Sequence, residues 1–324
     1  MLENKNSHVV HNHKGRIFRN LSPNVKLPGI FSYAKSRLVS KRIKWPKFVP
    51  NEYSDHTPPD RVYGSEIRLS FIGHGTFLIQ TEGINIITDP VYSERCSPFS
   101  FLGPKRVAEP GIPLSKLPEI DLILVSHNHY DHMDIKTLKF LSQANNPKII
   151  TPVGNKEIIK KSIKHADVES LDWYENFELK TGIKIHLEPA QHWSARGIFD
   201  VNKALWGTFI LETPKGQILF IGDTGYNQEM FQNIAKKFLN IRLSLIPIGA
   251  YEPRWIMKSV HMNPEESVRT HIDLGSKYSV ASHFATFQLT DEGYDMPVIA
   301  LEAAKKDLKI DNFEALKIGQ VLKL

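Results

Sequence analysis

Cysteine is almost absent from this sequence, since Cys96 is the only one among 324 residues. A single cysteine excludes an intrachain disulfide and a cysteine-rich zinc module. Long apolar runs are also missing: none approaches the roughly 18 residues of a transmembrane helix, and the first residues lack the apolar core of a secretory signal peptide. A free thiol with neither signal predicts a cytoplasmic protein that is at most peripheral to a membrane.

Acidic residues are scarce only at the start of the chain. Residues 1–60 hold eleven Lys or Arg against four Asp or Glu, which gives +7, whereas residues 61–324 come to −1. This asymmetry predicts a basic N-terminal arm over residues 1–60 and one globular domain over residues 61–324. A basic arm binds anionic membranes or nucleic acid, or is simply solvated. Aromatic, aliphatic and cationic residues mix in residues 30–43, a segment expected to lie on a membrane or to pack on the domain.

Short apolar runs that end in Gly, Pro or Asp fill the rest of the chain and predict strands. They lie at 67–72, 76–81, 84–89, 121–126, 148–151, 184–188, 206–212, 217–222, 243–248 and 277–282. Helices are predicted between them, at 134–142, 155–164, 229–238, 263–272 and 297–307. Asn263, Pro264 and Glu266 supply an N-cap, a first-turn proline and an N3 acid. The order indicates an α/β (α+β) architecture with two sheets rather than a Rossmann alternation.

Histidine is plentiful, with fourteen residues, and four potential metal ligands fall within six positions. His127, His129, Asp131 and His132 form an H-x-H-x-D-H segment directly after the apolar run 121–125. Imidazoles and carboxylates suit zinc and similar divalent ions. Alternation in an extended segment places His127 and His129 on one side. The following turn can then present Asp131 and His132 to a second ion.

Further candidate ligands stand just past other predicted strands, namely His192, Asp223 and His283. Strand ends gather at one edge of a sheet, so these side chains are expected to meet. The minimal assignment places His127, His129 and His192 on one ion and Asp131, His132 and His283 on the other. Asp223 is predicted to bridge, because a carboxylate has two oxygens.

This pattern of ligands resembles the metallo-β-lactamase fold superfamily over roughly residues 60–320. Longer motifs resemble one of its branches, the family of N-acylphosphatidylethanolamine-hydrolysing phospholipases D. These motifs are Ile72–Leu78, Thr88–Pro90, Gly103–Arg106, Ser126–His132, Gln191–Trp193, Gly222–Tyr226 and Pro247–Trp255.

The resemblance implies an αββα sandwich with a dinuclear metal site at one edge of the two sheets and two Zn²⁺ per chain. It implies hydrolysis of a phospholipid to phosphatidic acid and an N-acylethanolamine, peripheral membrane contact and a homodimer. Asp131 would orient or deprotonate the attacking water, and His261 would stabilise phosphate charge or protonate the leaving group. The family has Gln where this chain has Val260, which puts the head-group specificity in question.

Six more residues are predicted to surround the metals rather than to bind them. Asp89 is expected to orient a ligand histidine, because ligating imidazoles usually donate their second N–H to a carboxylate or carbonyl. His74 is expected to lie near the metals or to support them, and Tyr130 and Trp193 to wall the site. Arg254 and Trp255 are candidate partners of a phosphate and an acyl chain.

Three alternatives keep the fold and change the function. The site type also serves hydrolysis of RNA phosphodiesters and of lactones or small esters. Because the basic excess is confined to the arm, no nucleic-acid partner is expected. The third alternative, a binding module without catalysis, is disfavoured by the complete ligand set.

Overall fold

The secondary structure comes from a computed structural model, which describes residues 9–12, 15–23, 25, 27 and 39–324. The strands are β1 (Val9–Asn12), β2 (Gly15–Phe18), β3 (Arg68–Gly73), β4 (Thr76–Thr81), β5 (Ile84–Thr88), β6 (Leu122–Leu124), β7 (Lys148–Pro152), β8 (Val168–Leu171), β9 (Asn176–Glu178), β10 (Lys184–Glu188), β11 (Thr208–Thr213), β12 (Gly216–Ile221), β13 (Ile241–Pro247), β14 (Ser279–Ser282), β15 (Phe313–Glu314) and β16 (Val321–Lys323). The α-helices are α1 (Ile135–Ala144), α2 (Asn155–Ser162), α3 (Gln228–Lys237), α4 (Arg254–Met257), α5 (Pro264–Leu274) and α6 (Met296–Leu308).

Two seven-stranded mixed sheets dominate the fold. The first has the order β16-β3-β4-β5-β6-β7-β8 and the second the order β15-β14-β13-β12-β11-β10-β9, while β1 and β2 form a separate antiparallel pair. The predicted two-sheet α/β architecture is confirmed.

Alternating side chains bury both faces of the first sheet. In β6, Leu122 and Leu124 join the large apolar core that includes the second sheet, whereas Ile123 joins a smaller core with Leu138 of α1. Strands buried on both faces read as continuous apolar runs, which is why β6 is visible in the sequence. Phe231 of α3 packs in the large core. Helices therefore cover both sheets, as in an αββα sandwich.

The start of α5 is fixed by the predicted capping box. Asn263 Oδ1 accepts from Glu266 N at 2.9 Å, and Glu266 Oε2 accepts from Asn263 N at 3.0 Å. Pro264 occupies the first turn, where no backbone N–H is needed. Such a cap contributes about 1 kcal/mol. It also sets the position of the loop that precedes α5.

The described parts of residues 1–60 pack against the domain. Phe18 is fully buried in the large core, and Trp45 Nε1 donates to Glu292 O at 2.8 Å. Asp55 accepts from Arg68 at 2.8 Å. The boundary at residue 60 therefore marks a change in charge and not a gap in packing.

The predicted membrane-facing segment 30–43 lies largely outside the described residues, which resume at residue 39. Over the described ranges, no helix combines the length and apolar character needed to cross a bilayer.

Candidate metal centre

The predicted ligands follow strands that run in the same direction. In the first sheet β4 is antiparallel to β3 and β5, and β6 is parallel to β5, so β3, β5 and β6 end at one edge. In the second sheet β10, β12, β13 and β14 likewise share a direction. The loops that carry the candidate ligands all leave the carboxyl ends of these strands.

Glycines allow the loops that carry the candidate ligands to touch, Gly222 between the two sheets and Gly249 within the second sheet. A Cβ on Gly222, which precedes Asp223, would lie 2.6 Å from Ser126 Cβ. A Cβ on Gly249 would lie 2.1 Å from His283 O. Real Cβ atoms do not approach so closely, so side chains here would push the ligand loops apart.

Three imidazoles and one carboxylate form a first cluster of His127, His129, His192 and Asp223. His129 Nδ1 lies 2.9 Å from His127 Nε2 and 3.3 Å from His192 Nε2. Asp223 Oδ2 lies 3.9 Å from His127 Nε2 and 3.7 Å from His192 Nε2. His192 Nδ1 is 2.9 Å from Val260 O, so it donates there and leaves Nε2 with a lone pair.

A second cluster consists of His74, Asp131, His132 and His283. Asp131 Oδ2 lies 3.0 Å from His74 Nε2, 3.3 Å from His132 Nε2 and 3.2 Å from His283 Nε2. The sequence placed His74 near the metal rim or in support of it, whereas the structure places it in direct contact with a candidate ligand. A turn between two glycines, with φ of 56° at His74, directs its ring inward.

Asp223 contacts both clusters. Its Oδ2 lies 3.2 Å from His132 Nε2, and its Oδ1 lies 3.2 Å from His283 Nε2. The structure therefore places Asp223 between the two clusters, and the assignment of the ligands to two ions stays a prediction.

The spacing of these atoms fits divalent metal ions. Tetrahedral zinc with nitrogen ligands at about 2.0–2.1 Å needs ligand atoms about 3.3 Å apart, close to the 3.2 Å and 3.3 Å contacts around Asp131 and Asp223. Although His132 Nε2 and Asp223 Oδ1 lie 3.2 Å from atoms of neighbouring ligands, neither makes a contact with hydrogen-bond geometry to any described residue. Buried polar atoms are normally satisfied, so both atoms point to a bound group. The identity of the metal as zinc and the number of two ions per chain stay predictions.

The electrostatics of the clusters favour a cation. Burial lowers the pKa of His129 to about 4 and that of His192 to about 3, so both imidazoles keep a lone pair at neutral pH. Burial also acts on Asp223, but His132 and His283 outweigh it and hold the pKa of Asp223 well below its usual range. Against the effect of burial, Asp223 and Asp131 raise the pKa of His283 to about 9. Carboxylates that stabilise a proton so strongly also stabilise a metal ion.

Asp89 holds one ligand of the second cluster. Its Oδ2 accepts from Ser126 Oγ and lies 2.6 Å from His132 Nδ1, while its Oδ1 accepts from Ser126 N at 2.7 Å. Burial raises the pKa of Asp89, and its contacts with His132 and Ser126 oppose that shift. His132 therefore donates from Nδ1 and turns Nε2 towards the cluster, and the role of Asp89 in orienting a metal ligand stays a prediction.

His261 lies beside the bridging carboxylate. Its Nδ1 is 3.9 Å from Asp223 Oδ2 and has no hydrogen-bond partner among the described residues. Burial lowers the pKa of His261 to about 3, so the ring is neutral. Arg254 Nη1 donates to His261 O at 2.9 Å, and Nη2 pairs with Glu266 at 2.6 Å. These contacts make Arg254 a support for His261, and its predicted phosphate contact stays a prediction.

Aromatic side chains border the clusters. Trp193 meets the His129 ring edge-on, with centroids 4.4 Å apart. Tyr130 packs beside a small apolar cluster that includes Cys96. Trp255 is exposed on α4. Trp193 thus borders the first cluster and Tyr130 packs beside an apolar cluster. Their role as walls of the site and an acyl-chain contact of Trp255 stay predictions.

Two supporting residues were missed by sequence reasoning. Asn20 Nδ2 donates to His192 O at 2.8 Å, and Asn20 Oδ1 accepts from His192 N at 2.9 Å. Arg196 Nη1 donates to Asn128 O and Met133 O, both at 2.9 Å. Neither residue carries a local signal, because each contact joins segments at least 63 residues apart.

Comparisons with known proteins agree with this geometry. Residues 84–284 match the family described as "Beta-lactamase superfamily domain". The chain is 38% identical over 265 residues to "N-acyl-phosphatidylethanolamine-hydrolyzing phospholipase D 1" of Caenorhabditis elegans, covering 78% of this chain and 74% of that protein. It is 36% identical over 225 residues to "N-acyl-phosphatidylethanolamine-hydrolyzing phospholipase D, mitochondrial" of Saccharomyces cerevisiae, covering 68% of this chain but only 48% of that protein.

A solved structure shares the fold at low sequence identity. The isothiocyanate hydrolase from Delia radicum gut bacteria superposes with a TM-score of 0.62 at 17% identity, covering 79% of this chain and 98% of the other. At this identity the likeness concerns the fold alone.

Proposed function

The chain belongs to the β-lactamase superfamily and is a metal-dependent hydrolase, and from this premise we propose that it is a zinc-dependent phosphodiesterase of the phospholipase D type. The proposed reaction converts N-acylphosphatidylethanolamine, or a related phospholipid, into phosphatidic acid and an N-acylethanolamine. The observation that carries the proposal is the pair of clusters joined by Asp223. The worm relative, at 38% identity, supports the choice of lipid.

The two clusters would each hold one ion. His127, His129 and His192 would bind the first and Asp131, His132 and His283 the second, with Asp223 shared. Bound zinc supplies a Lewis acid for a phosphoryl oxygen and lowers the pKa of water to about 7.

Protein groups would then position the reactants. His74 Nε2 lies 3.0 Å from Asp131 Oδ2 and can donate to it, so the other oxygen of Asp131 can orient an attacking water. His261, as a neutral imidazole, can donate one N–H to a phosphoryl or leaving oxygen. Its distance of 3.9 Å from Asp223 Oδ2 places that donor beside the shared carboxylate.

The proposed partners follow from the lipid substrate. A basic arm with a charge of +7 is attracted to anionic lipid, which supports peripheral contact with a membrane. We also propose a cytoplasmic location for the protein, which fits the single free thiol of Cys96. A homodimer is also proposed, from the resemblance alone.

The test is metal analysis coupled to a vesicle assay on the full chain. Zinc-loaded protein should release phosphatidic acid and N-acylethanolamine from vesicles that contain N-acylphosphatidylethanolamine. Asp223→Ala is the matched inactive variant. Faster turnover of an RNA, a lactone or a small ester than of any phospholipid would reject the lipid substrate while leaving the metal-dependent hydrolase intact.

A further inference from the structure

Two loops near the metal centre expose large apolar side chains. The first rim loop, residues 97–103, carries Phe101 and Leu102, which are 78% and 60% exposed. The second rim loop, residues 197–201, carries Ile198 and Phe199, which are 70% and 83% exposed. Single exposed apolar residues are ordinary on protein surfaces, but pairs on neighbouring loops beside one site indicate an interaction surface.

The first rim loop has an apolar tip on a cationic base. Its residues include no charged side chain. At its base, Arg95 and Lys105 form an isolated β-bridge, and Arg95 Nη1 donates to Gly103 O at 2.6 Å. Cys96 N donates to Pro104 O at 3.2 Å. These bonds hold the tip in a defined loop. Lys105 pairs with Glu94 at 2.6 Å, so Arg95 carries the net positive charge behind the tip.

The second rim loop turns its one acid away from the tip. Asp200 Oδ1 accepts from Gly197 N at 2.8 Å and from Arg196 N at 3.1 Å. Asn202 N donates to Ser194 O at 2.7 Å and closes the base. Because the carboxylate is used by the backbone, the tip presents Ile198 and Phe199 without an opposing negative charge.

Both rim loops meet the ligand-bearing segment at their bases, where the preceding residues Arg196 and Cys96 lie near Tyr130. The Arg196 guanidinium stacks over the Tyr130 ring at 3.9 Å, and Tyr130 Oη donates to Arg196 O at 3.2 Å. On the other loop, Cys96 belongs to the apolar cluster against which Tyr130 packs. Tyr130 lies between the candidate ligands His129 and Asp131, so the bases of both rim loops adjoin the segment that carries the metal ligands.

We propose that the two rim loops insert into one leaflet of a lipid membrane and thereby seat the metal centre at the level of the lipid phosphates. This inference rests on the proposed function. Apolar tips with a net positive charge at the base suit the interface, since the tips enter the acyl region while Arg95 remains beside phosphates. A protein partner would instead need polar groups for about one hydrogen bond per 100–200 Å², and the tip side chains offer few.

The test measures partitioning of the zinc-loaded full chain onto vesicles by co-sedimentation. Neutral phosphatidylcholine vesicles isolate the apolar contribution, and vesicles with added phosphatidylserine include the basic arm. The double variant Phe101→Ser with Phe199→Ser should partition at least about tenfold more weakly onto both, equivalent to about 1.4 kcal/mol. A second pair, Leu102→Ser with Ile198→Ser, should act in the same direction.

Leu239→Ser is the matched control. Leu239 is 86% exposed, but it precedes β13 at the sheet edge opposite the metal centre. Its substitution should leave vesicle partitioning unchanged, and zinc content and thermal midpoint verify that all variants fold.

Partitioning of both double variants at the parent level would overturn the inference. So would a shift from dimer to monomer in sedimentation velocity with vesicle binding retained, since the surface would then join two copies of the chain. The assay needs no hydrolysis of an N-acylated lipid, so failure of the proposed substrate leaves its outcome interpretable.

Discussion

Replacing Asp89 by asparagine tests how the second cluster is oriented. Asp89 uses Oδ1 for Ser126 N and Oδ2 for His132 Nδ1. An asparagine must keep its oxygen towards Ser126 N, because an amide NH₂ cannot accept from a backbone N–H. Its NH₂ group then faces His132 Nδ1, which has to give up its proton. The proton moves to Nε2, the atom that faces the cluster, and blocks that lone pair.

The magnitude follows from one lost interaction. A hydrogen bond to a charged group contributes about 1.5–3 kcal/mol. To bind zinc, His132 must return its proton to Nδ1, where it faces the asparagine NH₂ group and no longer a carboxylate. The variant therefore loses the free energy of that hydrogen bond. At about 1.4 kcal/mol per tenfold change, zinc affinity should fall roughly 10- to 100-fold. Outer partners of metal ligands typically have effects of this size.

The measurement is competition for zinc with a chromophoric chelator, together with a thermal melt of the zinc-free protein. Asp134→Asn is the matched control: Asp134 is also buried and accepts from Ser93 N and Lys136 N, but it contacts no candidate ligand. This control should lower the melting temperature and leave zinc affinity within about twofold, a change of roughly 0.4 kcal/mol. Parent-like zinc affinity in a folded Asp89→Asn protein would refute the orientation argument.

Three further outcomes are expected. Asp223→Ala should abolish bound zinc and hydrolysis because Asp223 contacts both clusters; His129→Ala should do the same, and full activity in either metal-free protein would contradict the metal scheme. Asn20→Ala should cost about 2 kcal/mol in urea unfolding, since two hydrogen bonds to the His192 backbone are lost at about 1 kcal/mol each. Asn51→Ala, which loses one exposed bond, is its control and should cost less than about 0.5 kcal/mol. Chelation of zinc should lower the free energy of unfolding by about 2.7 kcal/mol relative to protein at a zinc concentration 100 times Kd, and an unchanged melt would argue against binding.

Features that depend on local pattern could be predicted from the sequence. The apolar run before His127 identifies β6, and the residues just past such runs lie at the shared edge. The cap formed by Asn263 and Glu266 follows from side-chain chemistry within four residues. β9 escaped prediction because Asn176 and Glu178 are polar and exposed, so its sequence contains no apolar run.

Features that depend on tertiary approach could not be predicted. The contact between His74 and Asp131 requires two loops 57 residues apart to meet. Asn20 reaches the His192 backbone from 172 residues away, and Asn20 lies in a segment that composition alone marks as a basic arm. Charge and propensity describe the neighbourhood of a residue, whereas these contacts depend on how the layers pack.

The last strand of the fold bears on when the metal centre can form during synthesis. β16 pairs with β3, so the first sheet gains its outer strand only after residues 321–323 have been made. The ligand His283 also comes late, 156 residues after His127. A nascent chain that has exposed only β3 to β8 therefore holds an incomplete ligand set and an unpaired edge on β3. Until the C-terminal residues emerge, those histidines and that edge are open to metals and chaperones of the cell.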